Sequence, residues 1–427
     1  MDNQAIDLKR KIIYALLIFS SFLMYILFIS VKNTFAAEIV MIMKVFDIDK
    51  PTASMTTTYY FFTYGITQIL LFFLISKFNI KKFLTVTLSI SAVLMIAVGF
   101  CTGIVQIYVI FAISGVVQAG LWAGIIAVLS LYLPTKKLAF ANKMMALGEP
   151  VAFGISYGFS SIFNAFGNWN MPFIILGAMS LASVVLFFYV TSQAEKVSRC
   201  DKMERTQENL VIKKEAEYQI FNLNTVWKKT GYYVVMMVLS FLAVSVYRAI
   251  INWIPSLMAD VFAMNESVST LITTIVPIAI IIGPMIVIDC CEKHKNTMLV
   301  GTVFFGASLP FILYMVLFYD FNVVVSLIVL VIFLNLLYGA RVIFSSVVAF
   351  KMKDQLNAGA YSALGNAFAS FGVSFAPTIV GAIIETSGWA VSYFAIMIMV
   401  VVIVLILIAL SFIVHANIKK QKLQIQE

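Results

Sequence analysis

Long runs of apolar residues, separated by short polar segments, make up most of this chain. An α-helix needs roughly 20 apolar residues to cross the hydrocarbon core of a bilayer. Such runs occur at about residues 12–40, 53–76, 83–104, 106–133, 140–165, 170–192, 231–258, 266–288, 297–318, 322–350, 358–384 and 389–414. The pattern therefore predicts an all-α polytopic membrane protein with about 12 transmembrane helices.

The two halves of the chain share an outline. The stretches 116–173 and 335–394 each contain two apolar runs around a short polar patch. At an offset of roughly 217 to 220 residues, three motifs recur, which marks an internal repeat. Gly120 matches Gly339, Ala146-Leu147-Gly148 matches Ala363-Leu364-Gly365, and Gly167-Asn168-Trp169 matches Ser387-Gly388-Trp389. We therefore expect two six-helix pseudo-repeats, an N-terminal half over 1–192 and a C-terminal half over 230–427, joined by a charged cytoplasmic loop over 193–229.

Composition and charge exclude an ordinary soluble protein. Only 11% of the residues are charged and 62% are hydrophobic, whereas about 25% of residues are charged in a typical soluble domain. The net charge of +9 would suggest a nucleic-acid partner for a soluble protein. Here about 24 Lys and Arg residues lie on one side of the predicted bundle, and only Lys44 and Lys50 lie on the other. Because Lys and Arg accumulate on the cytoplasmic side, we expect a multi-pass protein of the bacterial inner membrane with both termini in the cytoplasm. The lipid bilayer is then its partner, nucleic acid is not, and we expect a monomer.

Four charged residues lie deep within the predicted helices: Lys32, Glu149, Arg248 and Arg341. A charge at the bilayer centre costs about 2.5–3.5 kcal/mol on insertion scales, so the three cations need partners. Glu149 could pair with Arg341 or titrate, and Glu38 is an alternative partner for Lys32. A small anionic substrate would supply a further partner, since Arg binds carboxylate or phosphate through two parallel hydrogen bonds.

Polar residues accompany these charges at helical spacing. Residues three or four positions apart share one face of a helix, which places Asn252 beside Arg248 and Tyr338 beside Arg341. In the second predicted helix, Tyr64 and Gln68 share a face in the same way. We therefore expect these uncharged side chains to line the binding site together with the charged ones.

Enzyme activity is not expected from this sequence. No metal-ligand cluster, nucleophile pair or phosphate-binding loop has a spacing that supports catalysis. The four cysteines lack the spacing of metal ligands. We therefore expect neither a metal nor a cofactor.

Two repeated six-helix halves with a charged central loop resemble the major facilitator superfamily, whose members bind substrate near the bilayer midplane between the halves. The runs LNLLYGARVIFSS and NAGAYSALGNAFASFGVSFAPTIVGAIIETSGWAVSYF resemble the last three helices of the organophosphate:phosphate antiporters, which include glycerol phosphate and hexose phosphate transporters. Val116-Val117-Gln118-Ala119-Gly120-Leu121-Trp122 resembles the fourth helix of that family, and Lys32-Asn33 resembles its first.

This resemblance implies the major facilitator fold and a substrate site at the midplane. It also implies that one basic residue from each half clamps the phosphate group. By position these residues are Lys32 and Arg248, with Tyr338 beside them, and Arg341 is an additional cation. Phosphate or protons are the implied counter-substrates.

These features favour a secondary transporter of a small organic anion, such as a sugar phosphate, a phosphonate or a carboxylate, that works by alternating access. It would be a proton symporter if Glu149 releases a proton when the anion leaves, and an exchanger if a second anion must replace the first. Two alternatives stay open. One is a transporter-like membrane sensor that binds an external ligand without flux. The other is proton-coupled efflux of lipophilic compounds, which the aromatic content favours.

Overall fold

The computed structural model describes residues 2–74, 79–201, 230–294, 296–348 and 358–426, and the regular secondary structure within these ranges is helical. The N-terminal half contains α1 (Asp2–Ala37), α2 (Ile39–Phe46), α3 (Lys50–Leu74), α4 (Ile80–Val98), α5 (Ile104–Gln118), α6 (Leu121–Tyr132), α7 (Thr135–Ala146), α8 (Gly148–Asn164) and α9 (Met171–Asp201). The C-terminal half contains α10 (Thr230–Asp260), α11 (Glu266–Thr273), α12 (Ile275–Ala279), α13 (Ile282–Lys293), α14 (Thr297–Phe318), α15 (Val323–Val342), a π-helical turn (Ile343–Val347) and α16 (Ala358–Gln426).

The predicted membrane spans all coincide with helices. By length and composition, 9 segments of the described residues are apolar enough to cross a membrane, and one of them, Leu364–Ala416, contains two predicted spans. The two spans that fall short contain α3, which is rich in Thr and Tyr, and α7, which contains three lysines. The prediction of an all-α polytopic membrane protein is confirmed.

Gly388 divides α16 into the last two predicted spans. Its backbone angles, φ 83° and ψ 177°, are adopted without strain only by glycine. In the matching motif of the first half, Gly167 also has a positive φ of 70°. The repeated motif therefore marks a sharp turn at the same end of both halves.

Four predicted spans are interrupted helices in the structure, namely 12–40 (α1 and the start of α2), 106–133 (α5 and α6), 140–165 (α7 and α8) and 266–288 (α11, α12 and α13). Pro277 lies in α12 and has no backbone N–H to continue the helical hydrogen bonds. Gly148 begins α8 against the ring of Tyr25, and a Cβ there would lie 2.5 Å from that ring. Because α7 ends at Ala146 and α8 begins at Gly148, Glu149 lies at the start of a helix.

The predicted central loop lies mostly outside the described residues. Helix α9 continues to Asp201, beyond the predicted end of the N-terminal half at residue 192. Residues 202–229 are not among those the structure describes, so the bounds of the loop stay a prediction.

The two halves meet along two lines of contact. Within the N-terminal half, α1 packs against α8 and α9, and within the C-terminal half α16 packs against α10 and α14. Between the halves, α3 packs against α16, and α8 packs against α11 and α12. Helices α1 and α10 also touch each other. The deep charges of the two halves are therefore carried by helices that face each other.

Ion pairs close one end of this interface. We call this end, which holds the connection between α1 and α3, the far side. Lys44 Nζ lies 2.8 Å from Glu266 Oε1, and the hydrogen bond to Glu266 raises the pKa of Lys44. Lys50 Nζ lies 3.2 Å from Asp260 and 3.4 Å from Glu385. Each of these far-side ion pairs joins the N-terminal half to the C-terminal half.

Hydroxyl groups join the halves at the same end. Thr58 Oγ1 donates to the carbonyl oxygen of Ser374 at 2.7 Å, and Ser374 Oγ donates to that of Thr58 at 2.9 Å. On the other line of contact, Ser161 and Ser267 exchange equivalent bonds of 3.0 and 2.8 Å. The structure is therefore closed at the far side.

The contact between α3 and α5 requires a glycine. A Cβ on Gly115 would lie 2.2 Å from the carbonyl oxygen of Tyr60. Because a main-chain oxygen cannot rotate away, we expect Gly115→Ala to lower the free energy of unfolding by about 1–3 kcal/mol, seen as a lower thermal midpoint in detergent. Gly306→Ala is the control, since a Cβ there would meet nothing within 4 Å. An unchanged midpoint in Gly115→Ala would contradict the close approach.

Candidate functional site

Glu149 forms the centre of a charged cluster between the two halves. Its carboxylate oxygens lie 2.5 Å from Arg248 Nη2 and 3.3 Å from Arg341 Nη2. Tyr338 donates a hydrogen bond of 3.2 Å to the same carboxylate. Glu149 belongs to α8 of the N-terminal half, whereas its partners belong to α10 and α15 of the C-terminal half. The cluster therefore connects the halves through one carboxylate.

Local helix geometry favours both charges of this cluster. Glu149 lies in the first turn of α8, where the helix dipole stabilises a carboxylate. Pro150 follows it, at a position where the absent N–H would have no intrahelical acceptor. Arg341 lies in the last turn of α15, the end at which the dipole favours a cation, and the π-helical turn Ile343–Val347 begins directly after that helix.

Lys32 is the third deep cation, and among the described residues it has neither an ion pair nor a hydrogen bond. Its Nζ lies 5.2 Å from the ring centroid of Phe61 and 5.8 Å from that of Tyr60. Arg248 Cζ lies 6.0 Å from the same Phe61 ring. Lys32 and Arg248 therefore both lie within cation–π distance of the Phe61 ring. Lys32 does not pair with Glu38, whose carboxylate oxygens have no partner.

Aromatic rings support both arginines. Arg248 Cζ lies 5.1 Å from the ring centroid of Phe153 and 5.6 Å from that of Tyr247. Arg341 Cζ lies 4.4 Å from the ring centroid of Tyr338 and 5.5 Å from that of Tyr247. Such cation–π contacts are worth about 0.5–2 kcal/mol each. They orient the guanidinium groups while leaving their N–H donors for anionic partners.

A buried hydrogen-bond network holds the aromatic side chains Tyr60 and Tyr64 of the N-terminal half in place. Tyr60 donates to Gln118 Oε1 at 2.7 Å, and Gln118 Nε2 donates to Ser91 Oγ at 2.6 Å. Tyr64 stacks on Tyr60 with their ring centroids 5.9 Å apart, and Gln68 Nε2 donates to the Tyr64 hydroxyl at 3.2 Å. Tyr64 and Gln68, both predicted for the site, therefore reach it through Tyr60.

Asn252 lies one helical turn beyond Arg248 on α10. It is buried, and its Nδ2 has no hydrogen-bond partner among the described residues. No described hydrogen bond joins it to Glu149. Of the residues predicted for the site, the structure thus brings Glu149, Arg248, Arg341 and Tyr338 into direct contact, with Lys32 nearby.

Three aromatic residues of the site were not among those predicted from the sequence. Phe61, Phe153 and Tyr247 each lie within cation–π distance of a deep charge. Phe153 follows Glu149 by one helical turn, which is a signal that spacing could have given. Phe61 and Tyr247 precede or follow polar residues directly, and helical periodicity alone assigns such neighbours to different faces.

The site holds more basic than acidic side chains. Three basic side chains lie around one carboxylate, and among the described residues Nε of both arginines is buried without an acceptor. The Glu149 and Arg341 side chains are 20% and 21% exposed, so the cluster is accessible. Within the residues that the structure describes, no group of His, Cys, Asp and Glu could hold a metal ion. The arrangement is therefore suited to binding a small anion.

The charged cluster lies between helices of the two halves of an all-helical chain with several apolar spans. The Major Facilitator Superfamily matches this sequence over residues 14–349. The chain belongs to this superfamily of transporters.

Solved structures and a curated relative extend the comparison. A bacterial homologue of the human lysosomal transporter Spinster, in an inward-facing and unoccupied conformation, has a TM-score of 0.72 at 12% identity, covering 96% of this chain and 98% of its own. The nucleoside transporter NupG has a TM-score of 0.70 at 13% identity, covering 94% and 99%. A quinolone resistance transporter of Acinetobacter baumannii is 24% identical over 195 residues, which are 43% of this chain and 45% of that protein. The chain thus matches less than half the length of that relative, and the two structures show a shared fold.

Removing the central carboxylate should destabilise the protein. Glu149→Gln leaves Arg248 and Arg341 close together without a counter-charge, so we expect the free energy of unfolding to fall by about 3 kcal/mol. The thermal midpoint in detergent measures this loss. Glu149→Gln combined with Arg341→Gln should recover part of it, because one unpaired cation is removed. Glu385→Gln, at an exposed ion pair, should cost far less. Equal midpoints for Glu149→Gln and the wild type would contradict the central role of the carboxylate.

Proposed function

We propose that the protein is a secondary transporter that moves a small organic anion by alternating access of its two halves. The substrate class is a sugar phosphate, a phosphonate or a carboxylate. Lys32 and Arg248 bind the anion from opposite halves, and Arg341 and Tyr338 orient it. Asn252, Tyr64 and Gln68 contribute polar contacts at the edges of the site.

The surplus positive charge is the observation that carries this proposal. Glu149 already accepts bonds from two arginines and a tyrosine. Among the described residues Lys32 forms no ion pair, and its contacts are aromatic rings. A cation at this depth is costly without a counter-charge. A mobile anion provides that counter-charge when it binds.

The division of the site between the halves supports alternation. The carboxylate belongs to one half and the arginines to the other, and the far-side ion pairs also join the halves. When the far side opens, the far-side ion pairs must break. The central site then becomes exposed to the far side. Both steps are rigid-body movements of one half against the other, as in related folds.

The coupling of substrate transport to a second ion, the membrane in which the protein lies and its oligomeric state stay predictions. Exchange against phosphate follows from the resemblance to organophosphate:phosphate antiporters, and proton symport follows from a titrating carboxyl. Residence in the inner membrane with both termini cytoplasmic, and a monomeric state, are likewise expected from the sequence.

Lys32→Gln tests the anion site with little effect on folding. We expect uptake of the preferred anion into proteoliposomes, chosen from a panel of sugar phosphates, phosphonates and carboxylates, to show at least about a tenfold higher KM, equal to about 1.4 kcal/mol of lost attraction. The thermal midpoint without anion should not fall, because Lys32 has no ion pair to lose.

Lys82→Gln is the matched control, since it removes the same charge from an exposed position at the start of α4. Its KM should equal that of the wild type. Saturable uptake of an anion with the same KM in Lys32→Gln would refute the role of Lys32. Uptake of only neutral or cationic compounds would refute the anion proposal itself.

Proton-coupled efflux of lipophilic compounds is the second candidate function. The similarity to a quinolone resistance transporter and the aromatic rings around the deep charges favour it. Export of a neutral lipophilic dye from cells, undiminished in Arg248→Ala, would support efflux. Dye export that requires Arg248, with competition by organic anions, would support the anion site instead.

A further inference from the structure

Glu38 is a buried carboxyl group that the central site does not use. It lies between α1 and α2, and its side chain is completely buried. Within the part of the chain that the structure describes, neither carboxylate oxygen has a well-formed hydrogen bond. Among the described residues no basic side chain pairs with it, and Lys32, its nearest cation in the sequence, contacts aromatic rings instead.

The groups that face Glu38 are uncharged. Ser160 and Asn164 of α8 lie towards the carboxyl, and both are buried. Ser160 Oγ and Asn164 Oδ1 also lack partners. Thr270 of α11 donates a hydrogen bond of 3.2 Å to the carbonyl oxygen of Ala37, the residue before Glu38. The pocket is therefore polar without containing a counter-ion.

An ionised carboxylate is not stable in such a pocket. Removing a carboxylate from water without an opposite charge costs several kcal/mol, and a group in this position takes up a proton instead. Glu149 is the opposite case, because two arginines and a tyrosine keep its charge. A carboxyl group buried in this way without a counter-ion is expected to hold its proton.

The burial of Glu38 depends on closure of the far side. The C-terminal half reaches both flanks of the pocket, through Thr270 at the carbonyl of Ala37 and through Ser267 at Ser161, the residue after Ser160. When the halves separate at the far side, α11 leaves α1 and α8. Water then enters, the carboxylic O–H bond breaks, the proton passes to water, and a hydrated carboxylate remains.

We propose that Glu38 is a proton-binding site that must be loaded before the far side can close. The ligand is a proton taken from water on the far side, and the acid residue returns it when that side reopens. The inference rests on the alternation of the two halves in the proposed function, and it is independent of the chemistry of the substrate.

The sign of the pH dependence distinguishes Glu38 from the other far-side acids. Protonation of Glu38 favours the closed far side, so closure should be lost as the pH rises. Protonation of Asp260, Glu266 or Glu385 would break the far-side ion pairs, so closure through these residues should be lost as the pH falls. The two effects therefore have opposite directions.

Spin labels on the far ends of the two halves test the proposal. Phe166 and Phe321 are 74% and 75% exposed, one in each half, and Cys replacements there carry the labels after the native cysteines are changed to Ser. In full-length protein in lipid nanodiscs, we expect a short distance at low pH and an additional longer distance as the pH rises. Above the pH at which the longer distance first appears, the ratio of the population with the long distance to that with the short distance should increase about tenfold per pH unit. This slope is the one that the release of a single proton requires. In Glu38→Gln, which mimics the neutral acid, the long distance should be lost at every pH.

Asp320→Asn is the control, because it removes an exposed far-side carboxylate and should keep the parent pH dependence. Infrared absorption detects the protonated carboxyl group directly, without any movement of the two halves. At neutral pH, the carbonyl band of a protonated carboxylic acid should be present in the parent protein and absent in Glu38→Gln. A Glu38→Gln protein with the parent pH dependence, or with an unchanged carbonyl band, would overturn the proposal. Anion uptake by the same variants separates the proposals, since a failure to transport anions with the pH-dependent distances intact refutes the substrate alone.

Discussion

The carboxylate of Glu149 is the contact on which the centre of this molecule depends. It is shared by Arg248 and Arg341, which come from two helices of the opposite half. Without it, two guanidinium groups would lie close together in surroundings that solvate charge poorly, where repulsion is weakly screened. One acidic side chain therefore stabilises the arginines and links the halves at the same point.

The aromatic rings around this contact also stabilise the positive side chains, through cation–π contacts in place of ion pairs. The Tyr247 ring lies within cation–π distance of both arginines, and the Phe61 ring lies within that distance of Arg248 and Lys32. The ring faces attract cations without removing their hydrogen-bond donors. The site can therefore keep three cations in place and still offer N–H groups to an anion, which additional carboxylates would not permit.

The sequence predicts the fold better than it predicts the pairing of charges. Apolar run length identifies the helices, because the bilayer imposes that length on any span, and charge depth identifies Lys32, Glu149, Arg248 and Arg341. Pairing depends instead on where helices break. Glu149 lies in the first turn of α8, which begins at Gly148, and Glu38 follows the last residue of α1, six positions after Lys32 and on a different face of the helix. Breaks of this kind depend on contacts with other helices, which spacing along one helix does not contain.

An anion that enters the site competes with Glu149 for the arginines. Because charge-assisted hydrogen bonds from arginine are similar in strength for carboxylate and phosphate, the exchange of one acceptor for another need not be costly. In the proposed mechanism the arginines stay joined to the N-terminal half, but through the anion and Lys32 in place of Glu149, which is released. In that proposal the mid-depth link between the halves is made by the anion and not by the protein. Movement of the halves would then depend on whether the site is filled, because a ligand shifts a conformational equilibrium only through its different affinity for the two states.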